Sequence, residues 1–355
     1  MHSIHERKDD HISLCLSEKV EYYSENSSFA SFVLEHDALP ELDFDAIDLS
    51  TEFLGKKLQA PLIIGAMTGG TKRAQKINER LSLVAEKTGI ALALGSQRPM
   101  LTDANLKKSY AMREFAPNIP VLLGNLGAVQ LQEVSTSQIQ NLIQAIDCDG
   151  FYFHLNPLQE ILQIEGNRNF SHLLEKLQKT IPELQVPVFI KEIGCGISQR
   201  TAWKLKDLPL HGIETAGVGG TSWAKIESLR SQKKLSDPLT QSLQENLGET
   251  FRQWGVPTCE SILACKNTLP HLKLIASGGI RNGVEASKAL ALGADLVAFA
   301  LPLLKAAEIS LTHAEKFIEQ IKQELKIALF LTGQPSVKEF KKQAPAFLKK
   351  RSQSS

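Results

Sequence analysis

Lys191 closes the apolar run Val188-Phe189-Ile190, and that position poses a chemical problem. An ammonium at the inner end of a buried strand needs an anionic partner or a shifted pKa, because burying it alone is costly. Two chemistries would use it. One is a Schiff base with a carbonyl substrate, as in an aldolase-type barrel. The other is stabilisation of negative charge on the N1/C2 carbonyl edge of a reduced flavin. A phosphate-binding signal further along favours the flavin. Ser277-Gly278-Gly279 stands between an apolar run and a helical pattern, where glycines let the backbone approach a ligand and the amides at the next helix start suit a phosphate. Arg281 adds a fixed positive charge.

Other apolar runs also end in polar groups. Ala66-Met67-Thr68-Gly69-Gly70, Gly95-Ser96-Gln97-Arg98, Gly124-Asn125, His154-Leu155-Asn156-Pro157-Leu158-Gln159-Glu160 and Gly217-Val218-Gly219-Gly220-Thr221 each follow one. Singly these have plain explanations: Thr68 and Ser96 as helix caps, Asn125 as a turn former, His154 as a hydrogen-bonded core residue, Glu160 as a solvated carboxylate. Repeated at strand after strand, they exceed what turn chemistry requires.

The elements that must position these groups alternate. Strands are expected at 61–64, 91–94, 121–124, 150–155, 188–191, 212–215, 272–276 and 296–300. Helices are expected at 72–88, 103–115, 136–146, 170–180, 198–206, 260–268 and 283–292. Continuous apolar strands alternating with amphipathic helices predict an α/β protein, a (β/α)8 TIM barrel with its chemistry at the C-terminal strand ends. Three regions follow: an N-terminal arm and lead-in over 1–60, the barrel over 61–332, and a basic C-terminal tail over 333–355, read as solvated. A polar insertion after strand six, 225–254, is expected to be a lid or a disordered surface loop.

Composition narrows the function classes. Forty basic and 39 acidic residues nearly cancel, so no global field draws in nucleic acid or membrane. The five cysteines are scattered without a CxxC pair, against a disulfide framework or structural zinc and in keeping with a reducing cytoplasm. The longest apolar stretch, 289–304, contains Asp295 and is shorter than the ~20 residues that span a bilayer.

Taken in order, Arg7-Lys8 with His11, the strand-end motifs above, HLNPLQE at 154–160, Lys191-Glu192, GVGGT at 217–221, WGVPT at 254–258 and SGGIR at 277–281 resemble the type 2 isopentenyl-diphosphate isomerases over nearly the whole chain. The resemblance implies an FMN- and Mg2+-dependent enzyme that interconverts isopentenyl and dimethylallyl diphosphate on reduced flavin without net redox change, with NADPH as the reductant. It also implies a cytoplasmic homo-oligomer, a tetramer or octamer. Carried over by motif, FMN contacts are expected at Ala66, Met67, Thr68, Ser96, Asn125, Lys191, Thr221, Gly279, Arg281, Ala300 and Leu301. Substrate contacts are expected at Arg7, Lys8, Ser96, Gln97, Arg98, Asn156 and Gln159. Gln159, Lys191 and His154 would be catalytic, and Glu160 would hold Mg2+. One departure is Ala216, near which many members have a serine, so one flavin hydrogen bond is in question. The competing enzyme class is an FMN-dependent 2-hydroxy-acid dehydrogenase or oxidase, which needs a histidine base and an arginine shortly after strand six; AGVGGTSWAK has neither. A non-catalytic flavin or phosphosugar module would need neither the basic arm nor the Gln159-Glu160 pair.

Overall fold

The computed structural model describes residues 4–17, 19–22 and 27–351. Ahead of the barrel come α1 (Ile4–Ser17), β1 (Phe32–Leu34), and the hairpin β2 (Thr51–Phe53) and β3 (Lys56–Leu58). Then follow β4 (Leu62–Ile64), α2 (Lys72–Thr88), β5 (Ala91–Ala93), β6 (Leu122–Gly127), α3 (Thr136–Ile146), β7 (Gly150–Leu155), α4 (Pro157–Leu162), α5 (Leu173–Thr180), β8 (Val188–Glu192), α6 (Gln199–Leu205) and β9 (Gly212–Glu214). After β9 come α7 (Trp223–Lys234), α8 (Pro238–Thr250), α9 (Thr258–Thr268), β10 (Lys273–Ala276), α10 (Gly283–Ala291), β11 (Leu296–Phe299), α11 (Leu301–Ile309), α12 (Leu311–Phe330), α13 (Val337–Phe347) and β12 (Leu348–Lys350).

Strands β4 to β11 pair in chain order, all parallel, and β11 returns to β4 to close the barrel. Side chains alternate across each strand. Ile63, Leu123, Tyr152, Phe189 and Ile275 fill the interior, while Leu62, Ile64, Leu122 and Ile190 pack outward into the helix layer. Both faces are buried, which is why these strands read as unbroken apolar runs. All eight expected strands are present. Helix α2 shows the local logic: the Thr71 hydroxyl accepts from Ala74 N at its start, Ile77, Leu81 and Val84 face inward, and Gly89 at φ 66° ends it.

The lead-in ends in a hairpin where it meets the barrel. Its turn, Leu54-Gly55, lies at positive φ, and Phe53 and Leu58 join the interior cluster with Ile63, Val121 and Phe189. The N-terminal mouth of the barrel is therefore plugged, and chemistry is left to the other end.

Other expectations change. The helix expected over 103–115 is two short 3-10 turns, because this stretch is tied to the site rather than to itself: Tyr110 donates its hydroxyl to the Ser96 carbonyl at 2.7 Å and Ser109 accepts from Gly70 N at 2.9 Å. The insertion is neither loop nor disordered but α7 and α8. The basic tail is not solvated through its described part, to residue 351: Val337, Phe340, Ala344 and Phe347 bury one face of α13, and β12 pairs with β1. The arm holds α1.

Phe53 is 1% exposed, and removing its ring leaves a void in the plug that the surrounding strands cannot fill. Phe53→Ala should cost about 3–5 kcal/mol in urea unfolding. An unchanged midpoint would show that the hairpin does not seal the barrel.

Candidate active site

One cavity opens at the C-terminal ends of the strands and takes in about 1560 Å³, mouth included. It gathers every expected site residue except Gln97. That residue is fully buried behind the wall. Its Nε2 donates to the Leu142 carbonyl at 3.0 Å and its Oε1 accepts from Asn125 N at 3.1 Å, so Gln97 positions the wall instead of touching substrate.

Asn125 passes that order on. Its Nδ2 donates to the Leu94 carbonyl at 3.1 Å, which fixes the amide so that Oδ1 faces His154 Nδ1 at 2.8 Å. His154 therefore carries its proton on Nδ1. Burial, with Lys191, Lys8 and Arg98 nearby, lowers its pKa to about 3, leaving a neutral ring with Nε2 free to accept.

Lys191 meets two oxygens. Nζ donates to the Glu192 carbonyl at 2.6 Å and lies 3.7 Å from Glu214 Oε1. The anionic partner that its burial demands is thus Glu214, which sequence reasoning missed. The signal was present: a carboxylate ends the buried strand Gly212-Ile213-Glu214. The Glu192 carboxylate is turned away, and its Oε2 accepts from the amides of Ile193, Gly194 and Cys195 at 2.5–2.7 Å. Burial nevertheless pushes it up to about 7.

The two glycine loops press on each other. A Cβ on Gly278 would lie 2.1 Å from the Gly217 carbonyl oxygen, and one on Gly279 would lie 2.4 Å from Gly219. Their first duty is loop packing, with ligand approach as its by-product. Ala216, between β9 and this loop, sits at φ 40°, a strained backbone for alanine. The amides at the start of α10 are not open as expected: the Asn282 side chain accepts from Glu285 N, and Glu285 accepts from Arg281 N. Helix α11 starts at Ala300-Leu301 without a side-chain cap and borders the same cavity. Arg281 is held by Glu21 at 2.5 Å.

Helix α1 brings Arg7, Lys8 and His11 to the rim. Burial and repulsion by Arg98 lower the pKa of Arg7. Burial, with Arg7 and Arg98, lowers that of Lys8 to about 7. Among the described residues none of Arg7, Lys8 and Arg98 has a carboxylate within ion-pair distance. His11 instead reaches Glu227, Nε2 to Oε1 at 3.0 Å, and Gln159 Nε2 donates to the same oxygen at 3.0 Å. Arg230 holds the other oxygen at 2.8 Å and grips Glu165 with both terminal nitrogens at 2.7 and 2.8 Å. Glu165, Glu227 and Arg230 were not foreseen, since the last two lie in the supposed loop; their i, i+3 spacing with opposite charge was the available signal. On the other flank Asn156 Nδ2 donates to Gln159 Oε1 at 2.9 Å and to Glu160 Oε1 at 3.0 Å, while Glu160 Oε2 accepts from Asn167 N at 2.6 Å.

Several cavity groups are buried without a partner: Thr68 Oγ1, Asn156 Oδ1, Gln163 Nε2 and Glu214 Oε2. Orphaned donors and acceptors beside a glycine cradle, an uncapped helix start and a buried lysine fit a flavin mononucleotide. Among the described residues no group of three or more His, Cys, Asp or Glu gathers as a metal site. Glu160, one carboxylate beside the orphaned Asn156 Oδ1, suits a hard cation that takes most of its oxygens from a bound phosphate.

Glu227 is held down to about 2 by His11 and Arg230, against burial that would raise it. Its folded pKa lies below the ordinary 4.5, so its contribution to stability is complete above pH 4.5 and fades as pH falls toward 2. The stability gap between wild type and Glu227→Gln in urea unfolding should therefore shrink over that window. Arg230→Met, which strands two carboxylates, should cost about 3–5 kcal/mol at pH 7. A near-neutral result would show that the network does not bear on stability.

Comparison with known proteins agrees with this geometry. Residues 174–346 match the family described as FMN-dependent dehydrogenase. Among solved structures, a chimera of (S)-mandelate dehydrogenase superposes with a TM-score of 0.66 at 15% identity, covering 97% of this chain and 99% of that one. A flavocytochrome b2 variant gives 0.67 at 16%, covering 96% and 82%. These establish the fold. The chain is also 42% identical over 338 residues to the isopentenyl-diphosphate delta-isomerase of Rickettsia rickettsii (strain Sheila Smith), covering 95% of this chain and 96% of the relative. The corresponding protein of Rickettsia akari (strain Hartford) is 42% identical over 337 residues with the same coverage. With such likeness along nearly its whole length, the chain belongs to the type 2 isopentenyl-diphosphate delta-isomerase family.

Proposed function

We propose that the protein interconverts isopentenyl diphosphate and dimethylallyl diphosphate, using reduced FMN and Mg2+, with NADPH supplying the reduction. The observation that carries this reading is the trio Arg7, Lys8 and Arg98, three basic groups around one cavity with no carboxylate within ion-pair distance among the described residues. Only a polyanion relieves them together, and a diphosphate matches both their number and their spread over two elements.

FMN, when bound, supplies an electron-rich ring able to exchange a proton with an unactivated alkene. Mg2+ on Glu160 would add charge neutralisation at the diphosphate. The remaining work belongs to the chain. Arg7, Lys8 and Arg98 anchor the diphosphate, so the short hydrocarbon end is directed inward past Gln159. The Gln159 amide is held at both ends, by Asn156 and by Glu227, and keeps one N–H to present to the reacting end. Trp223 donates its indole N–H to the Ile193 carbonyl at 3.1 Å and turns its ring to the cavity, an electron-rich wall for a developing tertiary cation. Helix α1 over the rim keeps out the water that would trap that cation. The 2-hydroxy-acid reading lacks its base here. Of the two histidines that line the cavity, His11 belongs to α1 and His154 lies on β7 with its Nδ1 committed to Asn125.

Purified protein should bind FMN, be inactive when oxidised, and make many turnovers after a single reduction. NADPH consumed one for one with product would sink the reading. Lys8 gives a pH signature. With a free-state pKa of about 7, it is neutral above that pH and must take up a proton to meet a diphosphate. Affinity for isopentenyl diphosphate should weaken by up to tenfold per pH unit above 7, and Lys8→Ala should flatten that slope. Parallel slopes would refute the role of Lys8.

A further inference from the structure

Glu214 has no task in the reading above, yet the barrel is built around it. Its side chain is 3% exposed, and strand register sets it directly beside Lys191 on the neighbouring strand. Its Oε1 accepts from the Ser277 hydroxyl at 2.9 Å, and that hydroxyl in turn accepts from the amide of Ala216. The carboxylate is thus pinned from β10 and cannot swing to solvent. Among the described residues its Oε2 meets no donor in good hydrogen-bond geometry, with the buried Tyr152 phenol beside the carboxylate, and Glu214 lines the cavity wall. Lys191 is the one cation within ion-pair distance among the described residues. A carboxylate this buried, with one oxygen left open, costs stability that an apolar residue would spare.

We propose that Glu214 is the counter-charge of Lys191, setting how much positive charge the lysine presents to a flavin and so tuning the flavin's proton affinity and reduction potential. It is a positioning residue acting through Lys191, and the proposal rests on FMN occupying this cavity. The pair presents a near-neutral dipole. A lone Lys191 would stabilise negative charge on the reduced ring more strongly, which makes reduction easier but holds the ring's electrons too tightly for proton exchange with an alkene.

The test uses FMN-loaded enzyme. Glu214→Gln keeps the shape and the acceptor for Ser277 while removing the charge. It should move the FMN midpoint potential in the positive direction, weaken proton binding to the reduced flavin about tenfold, and lower the isomerisation rate. Glu214→Asp, which retains the charge, should stay near wild type in potential. If the single variant does not fold, Lys191→Met with Glu214→Gln removes both charges together, a change that cores tolerate. Its potential should then stay near that of wild type, because the two charges offset each other, whereas Lys191→Met alone should move it in the negative direction; a double variant that matches Lys191→Met would overturn the proposal. Unchanged potential and flavin pKa in Glu214→Gln would overturn the proposal even if isomerase activity is intact. Wild-type protein that takes up no FMN would overturn the proposed function and this inference with it. Protein that binds FMN but lacks isomerase activity would overturn the function alone, and a potential shift in Glu214→Gln would still support the tuning role.

Discussion

Positive charge held where water is scarce is the constraint to which the rest of this structure answers. Arg7, Lys8, Arg98, Lys191 and Arg281 converge on one cavity from four separate stretches of chain. The structure compensates some of them internally and leaves others open. Lys191 has Glu214, and Arg281 has Glu21. Among the described residues the three at the rim have no carboxylate within ion-pair distance, and burial together with their mutual repulsion lowers the pKa values of Arg7 and Lys8. The compensated Lys191 lies deep, where a cofactor ring would sit, Arg281 is part-exposed, and the open charges lie at the mouth, where a ligand arrives. That ordering separates the two binding problems: the deep site is ready without help, while the rim is poised for an anion.

Between these charges runs a belt of neutral groups that adds none. Gln97 fixes Asn125, and Asn125 fixes His154. A histidine in such a field would be a liability if it protonated, and its surroundings hold it neutral down to about pH 3. The room for it comes from Gly127, where a Cβ would stand 3.2 Å from His154 Nε2. Amides serve this purpose better than acids or bases because they present a donor and an acceptor at once, and a single anchored end settles which is which.

The barrel was legible because strands buried on both faces leave unbroken apolar runs, and eight of them alternating with helices admit few topologies. Most of the cavity was legible because a barrel concentrates polar groups at one set of strand ends. What escaped was whatever depends on distant partners. Gln97 looked like a ligand contact until Leu142 and Asn125 were seen to occupy its amide. Glu214 acquires meaning only from strand register with Lys191. Glu227 and Arg230 lay in a stretch too polar to read as buried, since what buries them is one another, His11 from the chain's beginning and Glu165 from the loop after α4. The same applies to the tail, whose apolar residues are too few to announce a helix until β1 offers its edge.

The arm shows how far such partnership reaches. A helix of 14 residues with the sequence of α1 is marginal alone in water, because nucleation is costly and its apolar face is short. Its order comes from contacts with two other helices. Asp9 accepts from Thr71 at 2.6 Å and Ser13 from Arg73 at 2.9 Å on the side of α2; His11 meets Glu227, and Asp10 lies 3.6 Å from Lys234, on the side of α7. Thr71 is itself the cap of α2, so the arm docks on the element that frames the first strand end. Against these contacts stands the repulsion among Arg7, Lys8 and Arg98, which docking brings together. An anion at the rim removes that repulsion and therefore favours the docked arm by the same free energy with which the docked arm favours the anion. Docking the arm and holding an anion at the rim are in this sense one equilibrium, and Glu227 touches both the arm and Gln159.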